Sequence, residues 1–462
     1  MALKGTAVIE LTNVKTGEVE QYVENNLVTK ALDYMHRPIG ALKSIMTSAT
    51  TGDQAFTEML GGIVLWDKVI EESAEIYSQP QGVSMVGCAA YDSVNTTTSS
   101  CRGSYNEAES VYNSVDKSMK FVYDFQTNQA NGTINCISLT SKHAGFNGFG
   151  GDEQAVEGYD SARSLFYEWS TSYRFRPSDS YDETQLIYID PDEDVFYWRG
   201  AVTTTAVTIQ KYRANIKQRS IFTNHYTNHQ LLETIAVEIP SGLSTVTNPF
   251  HKYDADNNVL YIAFANSVAS GGSFKVIAIN MNTLVASLYS VTNPVSASYT
   301  PSINNCCFFN GKMCLLNTSN NQVCICSLED SSWTKISAGG TVCTYGCSYI
   351  DGMVYFMLYP SGSSSWYYRV RVGIFDPLTN KIRVTGLWGI LGRHSSDDFY
   401  NSVNVVPVKN CPMIFFGYRY YSGQRPAMFR KNNYLGTINN LSRTIEKTSD
   451  KTMKITYTIQ EM

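Results

Sequence analysis

Charge is scarce in this chain, and long apolar runs are missing. Asp, Glu, Lys and Arg make up 17 % of 462 residues, too few for the solvated faces of long surface helices. No apolar stretch approaches the ~18 residues of a membrane-spanning helix, so no membrane insertion is expected. No basic cluster interrupts a net charge of −5, which argues against nucleic acid as a partner. The opening Met-Ala-Leu-Lys-Gly-Thr runs straight into a strand pattern without a signal peptide, so synthesis in a cytoplasm is expected.

Several chemical signatures are missing as well. Seven of the eleven cysteines fall between Cys306 and Cys347, but two C-x2-C knuckles at zinc spacing are not among them. Core filling is the expected role of these thiols: Cys324 and Cys326 share a strand face, while Cys306 and Cys307 point to opposite faces. The glycine-rich His143 to Gly151 continues into Asp152-Glu153, where a phosphate cradle needs a Lys with Ser or Thr. His225 and His229 have i, i+4 spacing but no HExxH glutamate. Asp190, Asp192 and Asp194, then Asp254, Asp256 and Asn258, alternate as calcium ligands do, but Val195 and Val259 stand where a calcium loop needs glycine. Asp397-Asp398 is a carboxylate pair, whereas glycoside hydrolysis needs two carboxyls held about 5 to 10 Å apart across a substrate. Neighbouring carboxylates on one segment usually diverge. No catalytic residue, metal ligand or cofactor is expected, and the chain reads as a non-enzyme.

Tyrosine (31), phenylalanine (20) and glycine (32) are plentiful instead, the residues of strands and turns. From Thr184 to about Ile438 one pattern recurs five times: an apolar run, a two-residue turn, a second apolar run, then two more strand-like runs. The turns are Glu193-Asp194, Asn257-Asn258, Asn310-Gly311, Asp351-Gly352 and Lys409-Asn410. Asn-Gly and Asp-Gly tolerate the positive φ of a type I′ hairpin. The clearest copy runs Ile303 to Phe309, Lys312 to Leu316, Gln322 to Ser327 and Trp333 to Ile336. Four short strands are the content of one propeller blade. The expected fold is mainly β: a propeller of five or six blades over residues 166–432, with an irregular sandwich or a stack of hairpins as the alternative.

Outside the repeats, Ala7 to Thr12 and Glu18 to Val23 predict a hairpin, and Asn25-Asn26 is expected to cap a helix over Leu27 to Met35. Ile63 to Trp66 and Val83 to Ala90 predict strands. Lys120 to Gln126 and Thr133 to Thr140 are expected to pair with each other. Thr452 to Ile459 alternates regularly and needs a host sheet, for which the opening hairpin is the natural choice. Residues 1–165 then form a small mixed α/β base, residues 433–462 return a strand to it, and the propeller is an insertion.

These terminal segments carry a resemblance. Gly5 to Leu11, Asn26 to Leu32, Leu60 to Trp66, Tyr123-Asp124-Phe125 with Gly132-Thr133-Ile134, Leu139-Thr140-Ser141, Asn439-Asn440-Leu441 and Lys451 to Tyr457 occur in one order. In that order they resemble virion structural proteins of tailed bacteriophages and prophages of Gram-positive hosts. The likeness covers roughly residues 1 to 160 and 433 to 462. It implies a base that docks on other virion proteins, whether of tail, fibre, neck, collar, head or baseplate, an outward variable part, and location in the virion. It supplies no catalytic residues.

For the variable part, Trp366, Tyr367 and Tyr368 follow a Ser-Gly-rich loop, and Tyr418, Arg419, Tyr420 and Tyr421 precede Ser422-Gly423. Aromatic and Arg faces in such loops suit a host-surface carbohydrate or a protein partner. Host attachment by a homo-oligomer is the expected function. A purely architectural role, or a propeller glycosidase or lyase acting on surface polysaccharide, is the alternative.

Overall fold

The protein is described here from a computed structural model, which defines residues 3–32, 52–91, 93–96, 98–142, 166–170, 175–177, 183–214, 229–343, 346–358, 371–385, 403–409, 413–418, 427–431 and 434–461. It is mainly β, and its strands fall into two terminal sheets and five four-stranded sheets.

The terminal sheets face each other. In one, strands β1 (Leu3–Asn13) and β2 (Val19–Asn25) form the expected hairpin, and β31 (Lys451–Glu461) pairs antiparallel with β1 along its whole length. On its other edge β31 pairs with β8 (Ser118–Phe125), which also carries β6 (Ser104–Tyr105) and β7 (Val111–Asn113). The second sheet runs β3 (Leu27–Val28), β30 (Thr437–Lys447), β9 (Gly132–Thr140), β4 (Gly62–Trp66) and β5 (Met85–Ala89). Strict alternation puts Ala7, Ile9, Leu11, Phe121, Tyr123, Phe125, Met453, Ile455, Tyr457 and Ile459 on one inner face. They pack in a single core against Ile63, Leu65, Ile134, Ile137, Leu139 and Ile445 of the other sheet, as period-two patterning requires of a sandwich.

Among the described residues the base is a β-sandwich with a short helix, α1 (Gly52–Leu60), packed beside it. Two expectations for this region are corrected. Leu27 and Val28 are strand, bonded to Ile438 and Thr437, and helical backbone begins only at Lys30; the edge of β30 offers hydrogen bonds that outcompete local helix propensity. Strands β8 and β9 are not partners, because each lies in a different sheet. Each has an apolar face for the shared core, and the sandwich gives each a place inside its own sheet.

The repeats form five four-stranded antiparallel sheets. The first is β11 (Leu186–Asp190), β12 (Val195–Val202), β13 (Ala206–Arg213) and β14 (Leu231–Glu238). The second is β15 (Pro249–Asp254), β16 (Val259–Phe264), β17 (Ser273–Asn280) and β18 (Val285–Thr292). The third is β19 (Cys306–Phe309), β20 (Lys312–Asn317), β21 (Gln322–Ser327) and β22 (Trp333–Ser337). The fourth is β23 (Ser348–Ile350), β24 (Met353–Leu358), β25 (Arg371–Asp376) and β26 (Lys381–Thr385). The fifth combines β27 (Val403–Pro407), β28 (Met413–Tyr418) and β29 (Ala427–Lys431) with β10 (Phe166–Ser170), a strand from before the first repeat.

Successive sheets stack face to face. Ile187, Val207 and Ile209 pack on Leu260, Ile262 and Ile277. On the far side of the second sheet, Tyr261, Phe274 and Val276 meet Cys306, Phe308 and Leu315. Cys307, Phe309 and Leu316 then meet Val354, Phe356 and Phe375. Leu186, Ile189 and Phe196 meet Val406 and Val408 of the fifth sheet. Burial on both faces explains why runs such as Val259 to Phe264 are continuously apolar rather than alternating.

The turns follow two designs. Asn310-Gly311 and Asp351-Gly352 have positive φ at both residues, as type I′ hairpins require. In the first two copies only Asp194 and Asn258 do. There the link is four residues long, and Asp190 and Asp254 each accept two turn N–H groups at Oδ1, the local Asx bonding that supports a longer turn.

Candidate functional site

A cavity of about 240 Å³ opens where these turns converge. Tyr188 lies near the end of the first strand of the first repeat, Tyr253 near that of the second and Tyr349 near that of the fourth, and all three line it. Lys409, just past β27, contributes an ammonium, and Asp256 and Asp351 contribute carboxylates. From the sandwich comes Tyr77, in a segment whose Tyr77 carbonyl accepts the Leu435 N–H at 2.7 Å.

The side chains are held in place by one another. The rings of Tyr253, Tyr188 and Tyr197 stack in a column, with centroids 4.7 and 4.5 Å apart and planes within 13° and 17°. Lys211 covers the outer ring at 5.5 Å and pairs with Glu193, a cation–π cap. The Tyr253 hydroxyl donates to Asn258 Oδ1 at 2.5 Å, and Tyr349 donates to Asp256 Oδ2 at 2.7 Å. Lys409 Nζ donates to buried Asp190 at 2.8 Å, and this bond holds its ammonium above the usual lysine range. Burial pushes the phenols of Tyr188, Tyr253 and Tyr349 upward, so all three are neutral donors at physiological pH.

The cavity is therefore walled by packed aromatic rings with polar groups among them, a lining suited to a small polar solute. Asp254, next door, is not free to hold an ion. Its carboxylate accepts from Asp256 N, Asn257 N, Asn257 Nδ2 and Asn310 N, tying the second repeat to the third. Asp190 is likewise occupied by Asp192 N, Glu193 N and Lys409. Asp190 and Asp254 are therefore turn caps that also tie neighbouring sheets together.

Among the residues singled out from the sequence, Tyr418 ends β28, its backbone paired with Val403. Trp366, Tyr367, Tyr368, Arg419, Tyr420 and Tyr421 lie outside the described residues, as do His225, Asp397, Asp398 and the His143 to Gly151 segment. His229 is buried, edge-on to Phe196 at 4.9 Å, with Nδ1 2.8 Å from Arg213 O. The cavity residues escaped the sequence reading because Tyr188, Tyr253 and Tyr349 look there like ordinary core. Their shared place near the end of a first strand, close to a turn, was the available signal.

No protein-family model matches the chain, and no curated protein matches it either. Among solved structures, the crystal structure of a nidogen/laminin complex is similar at 9 % identity and a TM-score of 0.27, covering 70 % of this chain and 93 % of that one. A puromycin hydrolase mutant complexed with PGG follows at 10 % identity and a TM-score of 0.23, covering 68 % of this chain and 42 % of that one. At those scores neither likeness carries an argument, and the fold description stands on the sheets themselves: a mainly β chain with several four-stranded antiparallel sheets.

Proposed function

We propose that the five repeat sheets close into a five-bladed β-propeller borne on the sandwich, and that the chain is a non-enzymatic bacteriophage virion protein recognising a host-surface carbohydrate. In this reading residues 1–165 and 433–462 dock on other virion proteins as a homo-oligomer, and residues 166–432 face outward. Two features of the framework support closure: first strands lie side by side from β27 through β11, β15 and β19 to β23, and β10 completes the fifth sheet from the other end of the repeat region.

The observation that carries the recognition reading is topological. In an antiparallel four-stranded sheet, successive connections lie at alternate ends of the strands. The first-to-second turns lie on the cavity side, where Gln81 of the sandwich segment approaches Gly352. The second-to-third connections therefore leave from the far side. Leu358 and Arg371 bound one of them, and Tyr418 and Ala427 bound another. Those two contain Trp366, Tyr367, Tyr368, Arg419, Tyr420 and Tyr421, and the described ends of both lie on the side away from the cavity, which supports an outward role for these residues.

The test is binding of the labelled full chain to Gram-positive cell walls, intact or periodate-oxidised. Saturable binding that is lost on oxidation, and reduced at least tenfold in Trp366→Ala and Tyr420→Ala, is expected. Walls from a panel of strains that bind nothing would turn the reading to a purely architectural virion role. Release of soluble saccharide from the walls would turn it to a glycosidase or lyase.

A further inference from the structure

Three of the cysteines meet in space although their spacing gives no hint of it. Cys307 lies on β19 and Cys314 directly opposite on β20. Cys347 immediately precedes β23, its N–H donating to Asn304 O at 2.9 Å. The three Sγ atoms all lie within 4.8 Å of one another, with Cys347 and Cys307 only 3.4 Å apart, and all three residues are buried between the third and fourth repeat sheets. Three sulfurs about a common centre at thiolate–metal bond lengths of about 2.3 Å stand roughly 4 Å apart.

A second observation points at the same place. Lys252, on β15 of the adjoining second sheet, is 6 % exposed, and its Nζ has no hydrogen-bond partner. An ammonium buried without a partner is costly. Burial disfavours its charged form, and the neighbouring groups that favour it are the thiols of Cys347, Cys307 and Cys306. Mere core filling needs neither the amine nor three converging sulfurs.

We propose that Cys307, Cys314 and Cys347 form a site for a thiophilic divalent cation, zinc in ordinary growth conditions, with Lys252 as the charge-balancing group beside it. Binding replaces three S–H protons, released to solvent, by three metal–sulfur bonds, with no change of oxidation state. Three thiolates, one divalent ion and one ammonium then sum to zero, which suits a sealed site. A monovalent ion would leave one negative charge uncompensated. The ion would bolt the third sheet to the fourth from within, contributing folding free energy rather than catalysis.

The site is sealed, so the metal must enter during folding. The full chain is expressed in zinc- or cobalt-supplemented medium and purified under reducing conditions. The expected product holds about one ion per chain, the cobalt form shows thiolate-to-metal charge-transfer absorption, and metal protects Cys307, Cys314 and Cys347 together from alkylation. Cys347→Ser and Cys314→Ser abolish the absorption; Cys326→Ser, whose sulfur lies in a different cluster, retains it. Lys252→Met lowers affinity about tenfold or more, as loss of a supporting partner does. If the serine variants do not fold, the alkylation pattern of the unaltered chain still decides. A metal-free chain with these thiols unprotected, or a disulfide between Cys307 and Cys347 in peptide maps, would overturn the assignment.

Discussion

His251 shows how one buried group can set the acid limit of this protein. It is 1 % exposed, its Nδ1 accepts from Arg199 Nε at 3.1 Å, and its Nε2 lies 2.9 Å from Leu186 O. Because Arg199 can only donate, the imidazole is neutral with its proton on Nε2. Burial, then the Arg199 charge, pushes its pKa down to about 3, against about 6.5 in an unfolded chain. Between those values the unfolded chain binds the extra proton and the native one does not. Stability from this group is therefore full above about pH 6.5 and falls by up to ~1.4 kcal/mol per pH unit as pH drops toward 3. Urea melts of His251→Gln between pH 4 and 6.5 are expected to show a flatter pH dependence by about one proton. An unchanged slope would mean that the acid limit lies elsewhere.

Among the elements, β31 has the greatest consequence. It stands between β1 and β8, and every second side chain from Met453 to Ile459 enters the sandwich core. Tyr457 also reaches the opposite sheet, its hydroxyl 3.1 Å from Thr437 Oγ1 on β30. Tyr457→Phe removes only that bond and is expected to cost about 1 kcal/mol. Tyr457→Ala leaves a cavity and is expected to cost about 3–5 kcal/mol, both read from denaturant midpoints. If the two variants melt alike, the ring is not packed as described. Legibility in the sequence also divides by element. Strands with strict alternation or paired turn residues, such as β1, β2, β19 to β22 and β31, were readable because period and turn chemistry agree locally. The pairing of β8 and β9 was not, since both are buried strands and their sequence does not say which sheet each joins. Leu27-Val28 misled for a related reason: its backbone partner lies some four hundred residues away, at Thr437 and Ile438.

For the molecule as a whole, the informative strand is β10. It alone supplies the outer strand of the fifth sheet, from a position before the first. A fragment spanning residues 160–432 is expected to unfold at a clearly higher urea midpoint than one spanning 175–432, which lacks β10 and exposes the edge of β29. Equal midpoints would show that the fifth sheet does not depend on this strand. The cavity belongs to this scale too. Its lining comes from four of the five repeat sheets and from Tyr77 of the sandwich, so no segment shorter than most of the chain could have displayed it.

The pairing of β1 with β31 also has a consequence in time. Asn13 and Asp450, joined by a 3.0 Å hydrogen bond, are 437 residues apart. At ~5–20 residues per second a ribosome needs roughly 20 to 90 seconds to make the chain between them. Throughout that interval β1 has only β2 beside it, and its other edge is open to any strand in the cell. Each nascent copy on a polysome presents the same waiting edge to its neighbours. Production of this protein therefore depends on whatever shields that edge until β31 emerges, and fast initiation on its message should favour aggregation over yield.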